Sequence, residues 1–101
     1  MFSVRLSEDG DINVVKIIGK LDSNTAPNLE TALLKIDTNK IRIDCSELEY
    51  ISSIGLRILL RLRKESEFME LINVNGLINE ILSITGFDTV FNINKENSCE
   101  E

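Results

Sequence analysis

Residues 41–62, IRIDCSELEYISSIGLRILLRL, decide the fold, because a strand pattern is followed there by a helix pattern. The first five residues alternate between apolar and charged side chains, which predicts a short strand. Residues 46–51 are then predicted to form a loop. Ser52 and Ser53 precede the apolar run 54–62, and small polar residues ahead of such a run predict a helix start. A strand that leads through a loop into a helix is the unit from which α/β sheets are built.

The segment before this unit predicts a β-hairpin. Residues 2–7 and 12–21 are rich in Val, Ile and Phe, and the cluster at 8–11 between them is composed of turn-forming residues. The apolar character of the second run is partly continuous from Ile12 to Ile18. This continuity predicts a strand that lies inside a sheet covered on both faces.

Helix and strand patterns alternate through the rest of the chain. A helix is predicted to run to about Ile36, with Pro27 in its first turn, where a missing N–H is harmless. After the quoted stretch, residues 68–74 predict a strand. A third helix follows and is expected to end at Gly86 in a left-handed conformation, before a last strand over 89–93.

The predicted fold class is therefore α/β. An N-terminal antiparallel hairpin is followed by successive βα units, whose crossovers are right-handed and whose strands form a mostly parallel sheet with helices packed against it. With 101 residues, the chain is long enough for one domain. We expect this domain to span residues 1–94 and to be followed by a polar, acidic tail over 95–101.

Composition excludes several classes of function. The chain has 11 Lys and Arg against 17 Asp and Glu, a net charge of −6, so its overall field repels nucleic acid and anionic lipid. It has no His, which removes Ser-His-Asp relays and histidine metal sites. Cys45 and Cys99 form no metal or redox motif and are expected to be reduced. Without a membrane span or signal segment, we expect a cytoplasmic protein that binds no cofactor or metal.

In parallel sheets, functional residues gather outside the carboxyl ends of the strands. The predicted topology places three polar loops on that edge: Asp22 with Ser23, residues 44–53, and the loop at Asn75. The site of function is therefore expected there, next to the predicted start of the helix at the serine pair.

The helix that begins at the serine pair has one charged stripe. At roughly 100° per residue, Ser53, Arg57, Arg61 and Lys64 share one side, while Ile54 is assigned to the apolar side. A phosphate on Ser53 would be favoured by the free N–H groups and partial positive charge of the helix start. The residues alone leave open a plainer interpretation, in which a serine caps the helix and the cations form a solvated face.

Four segments together resemble one family, the STAS domain, and within it the small bacterial anti-anti-sigma factors. The resemblance covers nearly the whole chain to about residue 93. The segments are Gly19-Lys20-Leu21-Asp22 with Thr25-Ala26, the strand Ile41-Arg42-Ile43-Asp44-Cys45-Ser46, the segment Tyr50-Ile51-Ser52-Ser53-Ile54-Gly55-Leu56-Arg57, and Thr85-Gly86-Phe87. The serine-containing segment is the most specific of the four.

The resemblance implies a protein-interaction module rather than an enzyme. Unphosphorylated, it would bind a serine-kinase anti-sigma factor so that a sigma factor is released, and a serine phosphatase would reverse the phosphorylation that ends binding. The family's switch serine matches Ser53, with Ser52 as the alternative acceptor. The predicted partner-binding residues are Asp22, Ser23, Ser52, Ser53, Ile54, Gly55, Arg57, Arg61 and Lys64. The three cations are included because a local positive patch on an acidic protein tends to steer docking. A monomer or weak homodimer is expected.

This chain departs from the family pattern at three places. Ser52 stands where the family often has Asp, Ile54 stands where a small residue is common, and the C-terminal helix of the family is not matched by the short polar tail. Two alternatives stay open. One is a STAS subunit of a stress-signalling or lipid-transport assembly. The other is a small-ligand binder at the carboxyl edge of the sheet, where carboxylates are available.

Overall fold

The computed structural model describes residues 1–95, in which six strands and three helices form one α/β unit. The strands are β1 (Ser3–Asp9), β2 (Ile12–Leu21), β3 (Lys40–Asp44), β4 (Leu48–Ile51), β5 (Phe68–Val74) and β6 (Asn92–Lys95). The helices are α1 (Ala26–Leu33), α2 (Ser53–Glu65) and α3 (Gly76–Thr85).

The sheet has the order β1-β2-β3-β5-β6, and β4 pairs only with the end of β2. β1 and β2 form an antiparallel hairpin, and all the other pairs are parallel. The predicted fold class is therefore confirmed. α1 ends at Leu33, one turn earlier than the predicted end near Ile36.

β4 corrects the prediction that residues 46–51 form a loop. Its residues pair with the last three residues of β2, with a register shift between Gly19, whose φ is +100°, and Lys20. A Cβ on Gly19 would lie 2.3 Å from the carbonyl oxygen of Met1, so only glycine fits there. Only the first and last residues of β4 are buried, and this spacing lacks the period of two by which strands are recognised.

The last strand also differs from its prediction. Gly86 ends α3 in a left-handed conformation with φ +80°, as expected, but a 3-10 turn (Phe87–Thr89) follows it. Consequently β6 begins at Asn92 rather than at Thr89. The predicted domain boundary at 94 falls inside β6, and the predicted tail lies, beyond Lys95, outside the described residues.

The core lies on one face of the sheet, where the helices pack. Val15 and Ile17 of β2 are fully buried on this face, whereas Val14, Lys16 and Ile18 on the other face are only half-buried. The prediction that both faces of this strand are covered is therefore wrong. The open face is polar across its centre: the Arg42 side chain donates hydrogen bonds to carboxylates of Asp9 and Glu70, and such groups remain in contact with water.

Candidate functional site

Hydrogen bonds bring the three predicted loops together at the carboxyl edge of the sheet. The backbone N–H of Ser52 donates to the carbonyl of Leu21 at 2.9 Å, which fixes the start of α2 beside the end of β2. The Asn75 side chain donates from Nδ2 to the carbonyl of Leu48 at 3.0 Å, which ties the start of α3 to β4. The loops therefore form one continuous, preformed surface.

The turn between β2 and α1 is organised by Asp22. Its carboxylate accepts hydrogen bonds from the backbone N–H of Asn24 at 2.9 Å and of Thr25 at 3.2 Å. The Thr25 hydroxyl donates to the carbonyl of Lys20 at 2.8 Å and accepts from the N–H of Asp22 at 2.9 Å. These hydrogen bonds to Oδ1 of Asp22 shape the turn, and Ser23 is exposed at its tip.

The two serines of the pair occupy different positions. Ser52 is the N-cap of α2, is half-buried, and its hydroxyl accepts a hydrogen bond from the N–H of Gly55 at 3.4 Å. Ser53 is the first helical residue and is exposed, and its hydroxyl makes no hydrogen bond to any of residues 1–95. Capping therefore accounts for Ser52, and it leaves the hydroxyl of Ser53 free.

Gly55 allows the first turn of α2 to approach the sheet closely. It is buried, and a Cβ built on it would lie 2.7 Å from Cγ of Leu21 and 3.1 Å from Cγ1 of Ile51. Such distances are shorter than van der Waals contact. Gly55 thus positions the serines instead of presenting a side chain, so any part it has in partner binding is indirect.

Ile54 corrects the helical-wheel assignment. It was predicted to lie on the apolar side of α2, but its side chain is 39% exposed. It lines an open groove of about 490 Å³ that runs along α2 beside α1. The groove is lined by Glu30, Ile54, Arg57, Ile58, Leu60, Arg61 and Lys64.

The cations of the predicted stripe are all exposed, but they are not equivalent. The guanidinium of Arg61 donates a hydrogen bond to the carboxylate of Glu30 on α1. This hydrogen bond raises the pKa of Arg61 above its ordinary value. Arg57 and Lys64 make no ion pair with any of residues 1–95. Sequence analysis missed Glu30, because the ion pair joins two residues on different helices that are 31 positions apart in the chain.

Asp44, the last residue of β3, is a second carboxylate that is held by hydrogen bonds at this edge of the sheet. Its carboxylate accepts hydrogen bonds from the N–H of Ser46 at 3.0 Å and from Nδ2 of Asn73 at 3.1 Å. Burial opposes ionisation of this carboxyl, but those hydrogen bonds and the charge of Lys16 outweigh it and lower the pKa. Asn73, which sequence analysis missed, has a left-handed φ of +56° at a register shift in β5.

The described residues were searched for a metal site, a reactive thiol and a membrane-spanning helix. No group of three or more His, Cys, Asp or Glu side chains in residues 1–95 is arranged to hold a metal ion. Burial raises the pKa of the Cys45 thiol to about 12, which makes it a poor nucleophile. Cys99 lies outside the described residues. None of the described helices has the length and apolar composition needed to span a membrane.

Comparisons with known proteins agree on the fold. A search of the curated proteins finds no match, but solved structures do match. An anti-sigma factor antagonist from Mycobacterium paratuberculosis aligns with a TM-score of 0.83 and 23% identity, covering 93% of this chain and 86% of that chain. A putative anti-sigma factor antagonist from Thermotoga maritima gives 0.83 and 20%, covering 94% and 88%.

The Bacillus cell fate determinant SpoIIAA in its phosphorylated form aligns with a TM-score of 0.61 and 17% identity, covering 93% of each chain. At these identities the solved structures establish a shared fold. The family is established by sequence, since the model of the STAS domain matches residues 3–98. The chain therefore belongs to the STAS domain family.

Proposed function

We propose that this chain is an anti-sigma factor antagonist that is switched by phosphorylation at Ser53. In its unphosphorylated form it binds an anti-sigma factor of the serine-kinase type, so that a sigma factor is released. Phosphorylation by that kinase ends the binding, and a serine phosphatase restores it. The chain itself catalyses no reaction in this scheme, and the nucleotide and its magnesium ion belong to the kinase.

The observation that carries the proposal is the difference in exposure and hydrogen bonding between the hydroxyls of Ser52 and Ser53. Ser53 is exposed at the edge where the loops meet, and its hydroxyl is free of hydrogen bonds within residues 1–95. The hydroxyl of Ser52 is half-buried and engaged in capping. A kinase needs an accessible hydroxyl, so this difference favours Ser53 over Ser52 as the acceptor. The family membership, and the phosphorylated form in which the Bacillus protein was solved, support phosphorylation as the switch.

The electrostatics of the site explain how a phosphate would act. It adds roughly −1.5 to −2 charges at neutral pH, next to N–H groups at the start of α2 that favour an anion. The fold is therefore expected to tolerate the modification. The same charge changes the surface on which a partner docks, and the turn held by Asp22 lies beside it. A preformed surface switched by one charge needs no refolding.

The experiment starts with capture of partners from the source cell on immobilised full-length chain. The captured anti-sigma factor is incubated with MgATP and with wild type, Ser53→Ala or Ser52→Ala, and the phosphate is located by peptide mapping. We expect phosphate on wild type and on Ser52→Ala, and none on Ser53→Ala. We also expect Ser53→Ala to stay bound after ATP is added, whereas wild type is released.

Two outcomes would contradict the proposal. Phosphate mainly on Ser52 would reverse the assignment of the acceptor. A stable complex that is never phosphorylated would instead favour the alternative of a STAS subunit in a stress-signalling or lipid-transport assembly. A small-ligand binder at the carboxyl edge is less favoured, because the hollow of about 330 Å³ beside Asp22 and Thr25 is open to solvent, as is the groove beside α2, and neither is an enclosed pocket.

A further inference from the structure

The groove beside α2 combines an apolar floor with a row of cations. The accessible apolar surface comes from Ile54 and Leu60, with the buried Ile58 beneath them, and Arg57, Arg61 and Lys64 supply the charges. The three cations are four and three residues apart on one helix, so they extend over roughly 10 Å, about two turns. Their field is opposite in sign to the net charge of −6 carried by the chain.

The ion pair of Glu30 with Arg61 shows that this row of cations binds carboxylates. The carboxylate of Glu30, from the neighbouring helix, already binds the middle cation, Arg61. The cations one turn before and one turn after, Arg57 and Lys64, have no carboxylate partner within residues 1–95. The row therefore offers two unoccupied positions for carboxylates, on both sides of one that is occupied.

We infer that the groove receives an acidic amphipathic helix of a protein partner. Apolar side chains of that helix pack on Ile54 and Leu60, while carboxylates spaced one to two turns apart pair with Arg57 and Lys64. The inference deepens the proposed function by giving the chemistry of the docking segment, and it rests on that function only for the partner's identity. A second copy of this chain is the less favoured occupant, because two chains of charge −6 repel each other.

The test uses full-length chain and a displayed library of helix-forming peptides of about 16 residues. We expect the enriched peptides to be acidic and to carry apolar residues with a spacing of three and four. Their affinity for wild type is measured by fluorescence anisotropy at low and high salt. The variants are the double reversal Arg57→Glu with Lys64→Glu, the two single reversals, and Arg63→Glu. Arg63→Glu changes the net charge as much as either single reversal, and Arg63 lies on the same helix but lines a different groove, so each single reversal must also weaken binding more than Arg63→Glu.

We expect the double reversal to weaken binding of the selected peptides about tenfold at low salt, and Arg63→Glu to weaken it less than about threefold. Removing the internal competitor by Glu30→Gln should strengthen binding about threefold, because it frees the third cation. A variant with a gain of affinity cannot be explained by misfolding. Circular dichroism of each variant checks that the fold is retained.

The inference is overturned if the enriched peptides are not acidic, or if the double reversal and Arg63→Glu weaken binding equally. It is also overturned if sedimentation shows a wild-type dimer that the double reversal dissociates, since the groove then receives a second copy. These results do not depend on any kinase. Loss of the proposed function, by contrast, would appear as absence of phosphate on Ser53 while peptide binding is unchanged.

Discussion

Gly55→Ala tests whether the close approach of α2 to the sheet positions the serine pair. The new Cβ would lie 2.7 Å from Cγ and 2.8 Å from Cδ2 of Leu21, and 3.1 Å from Cγ1 of Ile51. All three atoms belong to fully or almost fully buried side chains, which have little space into which to move. The first turn of the helix or the end of β2 must therefore shift.

The magnitude follows from two opposing effects. Overpacking of a buried site costs about 1–3 kcal/mol, while replacing a helical glycine by alanine gains about 1 kcal/mol in helix propensity. The expected net loss in the free energy of unfolding is about 1 kcal/mol, which lowers the melting temperature by roughly 4–8 °C in a domain of this size.

Gly76→Ala is the matched control, because Gly76 is also in the first turn of a helix and a Cβ there meets nothing within 4 Å. We expect it to gain up to about 1 kcal/mol. Urea unfolding of both variants measures the difference, expected to be about 2 kcal/mol. Leu21→Ala removes the two nearest of the three atoms, so in its background Gly55→Ala should cost less. Equal stability of Gly55→Ala and Gly76→Ala would refute the reasoning.

Three further predictions concern the site. Ser52→Ala should lower the free energy of unfolding by about 1 kcal/mol through loss of the cap, whereas Ser53→Ala should change it by less than about 0.5 kcal/mol; equal losses in urea unfolding would contradict the capping assignment. In chain phosphorylated at Ser53, a phosphorus NMR titration should give a lower second phosphate pKa than in its Arg57→Gln variant, with Arg63→Gln as the unchanged control; identical titrations for all three would show that Arg57 does not reach the phosphate. The fold lowers the pKa of Asp44 from its ordinary value of 3.8. The ionised carboxylate therefore stabilises the fold at pH values above 3.8, and this stabilisation is lost as the pH falls through the lowered pKa. Asp44→Asn should therefore be less stable than wild type at pH 7 and should lose less stability on acidification, and parallel stability profiles would contradict this.

Local sequence patterns were sufficient to predict much of the fold. α2 was predicted correctly because its start signal and its apolar periodicity agree, and β5 because an apolar-rich segment ends at the turn-forming pair Asn75-Gly76. β4 was missed, since its pairing depends on the bulge at Gly19 and not on its own pattern. The last strand was placed too early because a 3-10 turn follows Gly86. Neither feature has a local signature in the sequence.

The sequence by itself determined that a serine pair stands at a helix start, that cations follow it with helical spacing, and that histidine chemistry is absent. Only the tertiary structure distinguished the capping hydroxyl of Ser52 from the free hydroxyl of Ser53. It also placed Glu30 on Arg61 and left Ile54 at the surface. Periodicity gives a side chain's direction on its own helix. Whether that side chain is buried or paired depends on which distant segment packs against the helix, and the order of the strands in the sheet determines that segment.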